Sequence, residues 1–276
     1  MTNHFFVDGE WLQSRLNTAV VRIIQVGGEN QYVSMHVPGA VLVSYAQFTT
    51  PRDGVPGMRG DVAVLAGLFG RLGIGPETTV VAYDLSGGTD ASRLVWTLVS
   101  MGHKGGAAVL DGGLAVWLQE GRPVESVPTV IAAGVEFIAQ PDDSWEANLE
   151  QVLAVTEGGT ETVLLDTRTR NEYVGMTLRS PRGHLRGAVH LDWVETLVGR
   201  QDPRLQPLDS LRARLAAIGV SDPAREVIVY CETAHRAAQT WVLLRHLGWQ
   251  KVRLYDGSIA EWRVYDLPVV SGENPG

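Results

Sequence analysis

Only one cysteine, Cys231, occurs in the 276 residues. That excludes an intrachain disulfide, and an oxidised thiol would find no second thiol in the chain to resolve it. Basic runs are also missing: 23 Lys and Arg stand against 31 Asp and Glu, for a net charge of −8. Nucleic acid and anionic membrane are therefore not expected partners. No apolar stretch reaches membrane-spanning length. The opening residues Met1-Thr2-Asn3-His4-Phe5-Phe6-Val7-Asp8 lack the basic segment and long apolar run of a secretory signal, so a cytoplasmic location is expected. No His/Cys cluster flanks Cys231, and neither metal nor other cofactor is expected. A monomer is the expected state. What is present is 45% hydrophobic and 20% charged, the composition of a globular protein with apolar material for two cores.

The single cysteine lies where a strand pattern breaks into a helical one. Val227-Ile228-Val229-Tyr230 reads as a buried strand, Cys231-Glu232-Thr233-Ala234-His235-Arg236 as a tight loop, and residues 237–247 as a largely apolar helix ending at Gly248. Such a junction aims backbone N–H groups at one spot and suits an anion. A thiol there has its thiolate form favoured by those dipoles and by Arg236 and His235. The other reading is a core cysteine closing an apolar strand. A second feature is local: five arginines (168, 170, 179, 182 and 186) crowd one stretch of an acidic chain, which suits a small anionic ligand.

The chain also repeats itself. Val80-Val81-Ala82-Tyr83-Asp84 matches Val227-Ile228-Val229-Tyr230-Cys231, and Asp111-Gly112-Gly113 with Trp117 matches Asp256-Gly257-Ser258 with Trp262. Upstream, His36-Val37-Pro38-Gly39-Ala40 matches His184-Leu185-Arg186-Gly187-Ala188. The order is the same in both halves, apart from an insertion at residues 174–183. Two copies this large are tandem domains, each with its own core. In each, short apolar runs alternate with helical patterns, which predicts an α/β fold around a mostly parallel sheet with helices on both faces. In the second copy Ser144 is expected to cap a helix reaching Thr156, with Val163-Leu164-Leu165 as a central strand. A helix over 208–217 stops at Gly219, and Val252-Arg253-Leu254-Tyr255 is a further strand. Polar residues 123–141 read as a surface connector. The domains are expected at 1–127 and 144–276, joined by 128–143. Loops at 166–170, 182–186 and 231–236 follow or flank strand ends, where α/β sheets bind ligands.

The paired His-x-x-Gly-Ala segments, the paired Asp-Gly-Gly/Ser…Trp segments and the strand-end cysteine loop resemble the two-domain rhodaneses, the thiosulfate sulfurtransferases. The likeness covers essentially the whole chain. It implies tandem rhodanese-like domains, the first inactive because Asp84 stands at the position of Cys231. It further implies that Cys231 attacks the outer sulfur of a small anionic donor such as thiosulfate. The resulting persulfide passes its sulfur to a thiophilic acceptor such as cyanide. On this reading the loop N–H groups of Glu232, Thr233, Ala234, His235 and Arg236 cradle the sulfur. Arg186 or Arg182 reads the donor's charge, and Arg236 either joins them or holds a loop-shaping salt bridge. Asp166 organises loops, His184 supports a turn, and Trp241 and Trp262 are core.

Glu232 departs from the glycine-containing loop of 3-mercaptopyruvate enzymes. A carboxylate facing the thiol would oppose an anionic donor, so Glu232 is expected to turn outward or pair with Arg236 or His235. Alternatives are a 3-mercaptopyruvate donor or a non-catalytic binding or redox-sensing module of the same fold. Dual-specificity phosphatases of this fold carry a loop one residue longer with arginine at the sixth position; here that position is Ala237.

Overall fold

Short, wholly buried apolar runs form the centre of each half, as expected of parallel strands covered on both faces. The computed structural model describes residues 4–16, 18–131, 134–178 and 181–276. Arg179 and part of the connector, residues 132–133, lie outside them. Among the described residues the strands are β1 (Phe6–Val7), β2 (Val21–Val26), β3 (Val41–Val43), β4 (Thr49–Arg52), β5 (Val55–Arg59) and β6 (Thr79–Tyr83). They continue as β7 (Ala107–Leu110), β8 (Glu146–Ala147), β9 (Val163–Asp166), β10 (Val189–His190), β11 (Val227–Tyr230) and β12 (Val252–Tyr255). One sheet runs β1-β7-β6-β2-β3 and the other β8-β12-β11-β9-β10, while β4 and β5 form a hairpin. All strand pairs in the two five-stranded sheets are parallel. The two orders are the same topology, and both sheets are flanked by helices.

The repeat persists at side-chain level. Tyr83 lies opposite Gln25 in the first sheet and Tyr230 opposite Asp166 in the second. The Tyr83 hydroxyl accepts the Val37 N–H at 3.0 Å, and the Tyr230 hydroxyl accepts the Leu185 N–H at 3.1 Å. Tyr32 stacks on His36 at 4.0 Å and donates to the Ala40 carbonyl, as Tyr173 stacks on His184 at 3.7 Å and donates to the Ala188 carbonyl. The His-x-x-Gly-Ala segments are thus clamps on the chain entering β3 and β10. Trp117 and Trp262 are both buried, and their indole N–H groups donate to the carbonyls of Pro123 and Pro268. Burying such a side chain contributes at least ~2 kcal/mol.

Two compact units emerge. One comprises Met1–Thr50, Arg59–Asp142 and Leu197–Leu205; the other comprises Pro51–Met58, Asp143–Thr196 and Gln206–Gly276. Each therefore includes a short segment from the other half of the chain, which the periodicity did not indicate. The connector is held to the first unit: Val135 N–H donates to the Gly70 carbonyl, Gln140 N–H to the Met101 carbonyl, and Phe137 packs against Phe69.

One sequence expectation needs correction. Ser144 caps no long helix, because Glu146–Ala147 is drawn into the sheet as β8 against Leu254 and Tyr255. The helix begins at Leu149 and ends at Thr156, with Asn148 and Gln151 forming a reciprocal capping box. The helix after the cysteine loop, His235–His246, is buried from Ala237 to Leu244. It ends in a Schellman motif: Gly248, at φ +102°, donates to the Arg245 carbonyl and Trp249 to the Leu244 carbonyl.

Candidate active site

Strand order fixes where a site can form. From β9 the chain moves outward to β10, then returns to the other side of β9 as β11. The loops leaving β9 and β11 therefore diverge and open a crevice at their carboxyl ends. Tyr230 pairs with Asp166 in this register, so Cys231 follows directly at the crevice floor. Cys231 is fully buried, whereas Glu232, Thr233, His235 and Arg236 are half-buried around it.

The loop's shape depends on a residue that the sequence reading assigned only to a motif. Ser258 Oγ accepts the N–H groups of Cys231 at 3.2 Å and Ala234 at 3.0 Å, and donates to the Tyr255 carbonyl at 2.8 Å. Both partners in this clamp adopt left-handed backbone, Ala234 at φ +57° and Ser258 at φ +50°, a strained conformation for a residue with a Cβ. The Ala234 N–H is therefore spent on Ser258 and is not among donors aimed at sulfur; that expectation is corrected. Ala234 instead turns the chain into the twelve-residue helix, whose N-terminal dipole points at the loop. Gly57 packs against the same loop: a Cβ there would meet Thr233 Cβ at 3.2 Å.

The arginines around the loop are matched with carboxylates. Arg168 and Asp166 form a buried fork, with Nε to Oδ1 at 3.0 Å and Nη2 to Oδ2 at 2.6 Å, and Nη2 also donates to the Gly183 carbonyl at 2.7 Å. Arg236 donates both Nη groups to Glu172, at 2.7 and 2.8 Å. Burial lowers the Arg236 pKa, but the hydrogen bonds and charge of Glu172 outweigh it, so the net shift is upward. Glu232 pairs with Arg263 at 2.7 Å, a partner that the sequence reading did not name. The helix Ser258–Val264 brings Arg263 alongside, so the Glu232 carboxylate is neutralised there.

Glu172 was absent from the sequence-derived site, although Thr169-x-x-Glu172 is a capping-box signature that could have located it. Its Oε2 accepts from Thr169 N–H at 3.0 Å and Oγ1 at 2.6 Å. Partial burial pushes its pKa up, but the Arg236 and Thr169 hydrogen bonds and the Arg236 charge prevail, lowering it from 4.5 to about 2. A depressed carboxylate stabilises the fold above its unfolded pKa and ceases to do so as pH falls through the folded one. The pair is expected to contribute about 1–2 kcal/mol after solvent screening. That contribution is lost between about pH 4.5 and about pH 2. Denaturant titrations of wild type and Glu172→Gln across that range should converge at the acid end.

The structure thus gathers Cys231, Glu232, Thr233, Ala234, His235, Arg236 and Asp166. Arg186 does not join them. It lines a separate cavity with Leu153, Thr156, Glu157 and Trp262. The helix Leu149–Thr156 leaves the carboxyl end of β8 and runs back along the sheet, so its last turn lies toward the amino ends of the strands. Arg182 is exposed, next to the Gly183 that receives Arg168. His184 is buried, its Nδ1 at 2.9 Å from the Tyr173 carbonyl. Trp241 is buried and donates to the Val252 carbonyl.

The corresponding loop of the first unit is closed on itself. Asp84 Oδ1 accepts the N–H groups of Ser86 and Gly88 at 2.9 and 2.8 Å, and Oδ2 accepts that of Ala91 at 2.9 Å. A carboxylate thus fills the space that an anion would occupy, although complete burial raises its pKa against those donors. No group of His, Cys, Asp and Glu that could hold a metal ion occurs among the described residues. No helix among them is long and apolar enough to cross a membrane.

Comparison with known proteins finds the same two copies. The profile of the rhodanese-like domain matches residues 8–120 and again 149–264. A thiosulfate sulfurtransferase of Azotobacter vinelandii is 30% identical over 260 residues, 94% of either chain. A thiosulfate sulfurtransferase of Corynebacterium glutamicum is 32% identical over 288 residues, 97% of this chain and 91% of that one. Among solved structures, SseA from Escherichia coli, described as a 3-mercaptopyruvate sulfotransferase, has a TM-score of 0.82 at 24% identity, covering 92% of this chain and 98% of that one. At that identity the structural likeness concerns the fold.

Proposed function

The chain belongs to the rhodanese-like domain family, and from that premise we propose that it is a thiosulfate sulfurtransferase whose sulfur is carried on Cys231. In the first half-reaction the Cys231 thiolate attacks the outer sulfur of thiosulfate. A new S–S bond forms as the donor's own S–S bond breaks, and sulfite leaves with the electron pair. In the second, the acceptor, cyanide in an assay, attacks the outer sulfur of the persulfide; thiocyanate departs and the thiolate is restored. The observation that carries the reading is the place of Cys231: at the floor of the β9/β11 crevice, on a loop pinned by Ser258, beneath a helix N-terminus and within reach of the Arg236 charge.

Glu232, Thr233, His235 and Arg236 form the rim a donor meets, and Asp166 keeps Arg168 and the 183 backbone in register beside it. Arg182 is the cation we assign to the donor's sulfonate end, since it is exposed and next to that backbone. The partners in this reading are a small anionic donor and a thiophilic acceptor, with neither nucleic acid nor membrane involved. The protein acts as a cytoplasmic monomer.

With Glu232 neutralised by Arg263, the loop no longer presents a bare carboxylate to an anion. Thiosulfate is expected to be used well and 3-mercaptopyruvate poorly. Steady-state kcat/KM for the two donors checks this. A clear preference for 3-mercaptopyruvate would replace the donor while leaving sulfur transfer in place, and no turnover with either would leave a binding or redox-sensing module.

A further inference from the structure

The Arg236 guanidinium, on the cysteine loop itself, is not free to meet a donor. Both Nη groups of Arg236 are donated to Glu172, and one oxygen of that carboxylate is also fixed by Thr169. The short helix that carries Glu172 is itself held, since Tyr173 stacks on His184 and donates to the Ala188 carbonyl. The neighbouring cations are balanced as well, Arg168 by Asp166 and Arg263 by Glu232. Three guanidiniums surround the loop, yet each carries a carboxylate. An anionic donor gains little attraction from charges already paired in this way.

We infer that Glu172 is a positioning residue that restrains anionic donors: it occupies the Arg236 fork, so a donor must share or displace its carboxylate before the guanidinium beside Cys231 helps bind it. This rests on the sulfurtransferase reading and extends it to a residue that touches neither sulfur. The relevant charges around Arg236 are Glu172, Cys231 and Arg168, with Asp192 a further carboxylate that feels Arg236.

Glu172→Gln is the informative change, because an amide three positions after Thr169 still completes the capping box and keeps the helix start. It removes the competing charge and leaves Arg236 in place. The thiosulfate KM is expected to fall about three- to fivefold, while the single-turnover rate of sulfur discharge to cyanide changes less. In an Arg236→Ala background the same substitution should no longer lower KM, since the fork it releases is gone. Glu172→Asp, which keeps the charge on a shorter arm, should shift KM less than Glu172→Gln. An unchanged or raised KM in a folded Glu172→Gln protein overturns the inference. So does an equal fall in the Arg236→Ala background, or a fall as large with Glu172→Asp. Failure of the underlying reading looks different: the wild-type protein itself would take no sulfur from thiosulfate.

Discussion

Serine in place of Cys231 is expected to lower thiosulfate:cyanide sulfur transfer by about 10³-fold or more, with the fold intact. Oxygen is smaller than sulfur and introduces no clash, and the Ser258 clamp holds backbone N–H groups, not the side chain. The chemistry is what is lost. A hydroxyl is hardly ionised near neutral pH and gives no persulfide, so the covalent carrier cannot form. Because Cys231 is the only thiol in the chain, no other side chain can substitute. The check is initial-rate assay of both proteins alongside their unfolding curves. A serine variant retaining a tenth of wild-type turnover would mean that sulfur travels by another route.

The second large effect concerns stability. Asp166 and Arg168 form an ion pair with both side chains essentially removed from solvent, at 0% and 2% exposure. Asp166 also accepts the Arg168 N–H at 3.0 Å. Burial depresses the Arg168 pKa, and the Asp166 charge more than restores it. Asp166→Ala would leave a guanidinium buried without its counter-charge, which costs about 3–5 kcal/mol. It would also loosen the Gly183 carbonyl that Arg168 holds. The expected result is a large drop in the denaturant midpoint of the second unit, with loss of activity following from unfolding. A fall below about 1 kcal/mol would show that water or another carboxylate reaches Arg168 easily.

Much of this architecture was legible in the residues because the chain says it twice. The Tyr83 and Tyr230 strand ends, the two His-x-x-Gly-Ala clamps and the buried Trp117 and Trp262 recur in the same order, and periodicity exposes such recurrence. The location of Cys231 was legible for the same reason. Other features were not. Ser144 misled because a polar residue before an apolar run looks like a cap, and only pairing with β12 shows that β8 intervenes. Arg186 is exposed and lines a cavity with Leu153, Thr156 and Trp262, a placement that its neighbours in sequence do not indicate. Glu172 is brought to the loop by one helix, Arg170–Tyr173, and Ser258 and Arg263 by another, Ser258–Val264. Nothing in local spacing says which carboxylate will meet which guanidinium, because that depends on how the helices cross the sheet.

The most direct test of the central claim is the intact mass of the protein before and after thiosulfate, and again after cyanide. A Cys231 carrier predicts a gain of one sulfur atom on the first addition, its loss with equimolar thiocyanate on the second, and neither change in Cys231→Ser. An unmodified wild-type mass after thiosulfate, with thiocyanate nevertheless formed on adding cyanide, would contradict it.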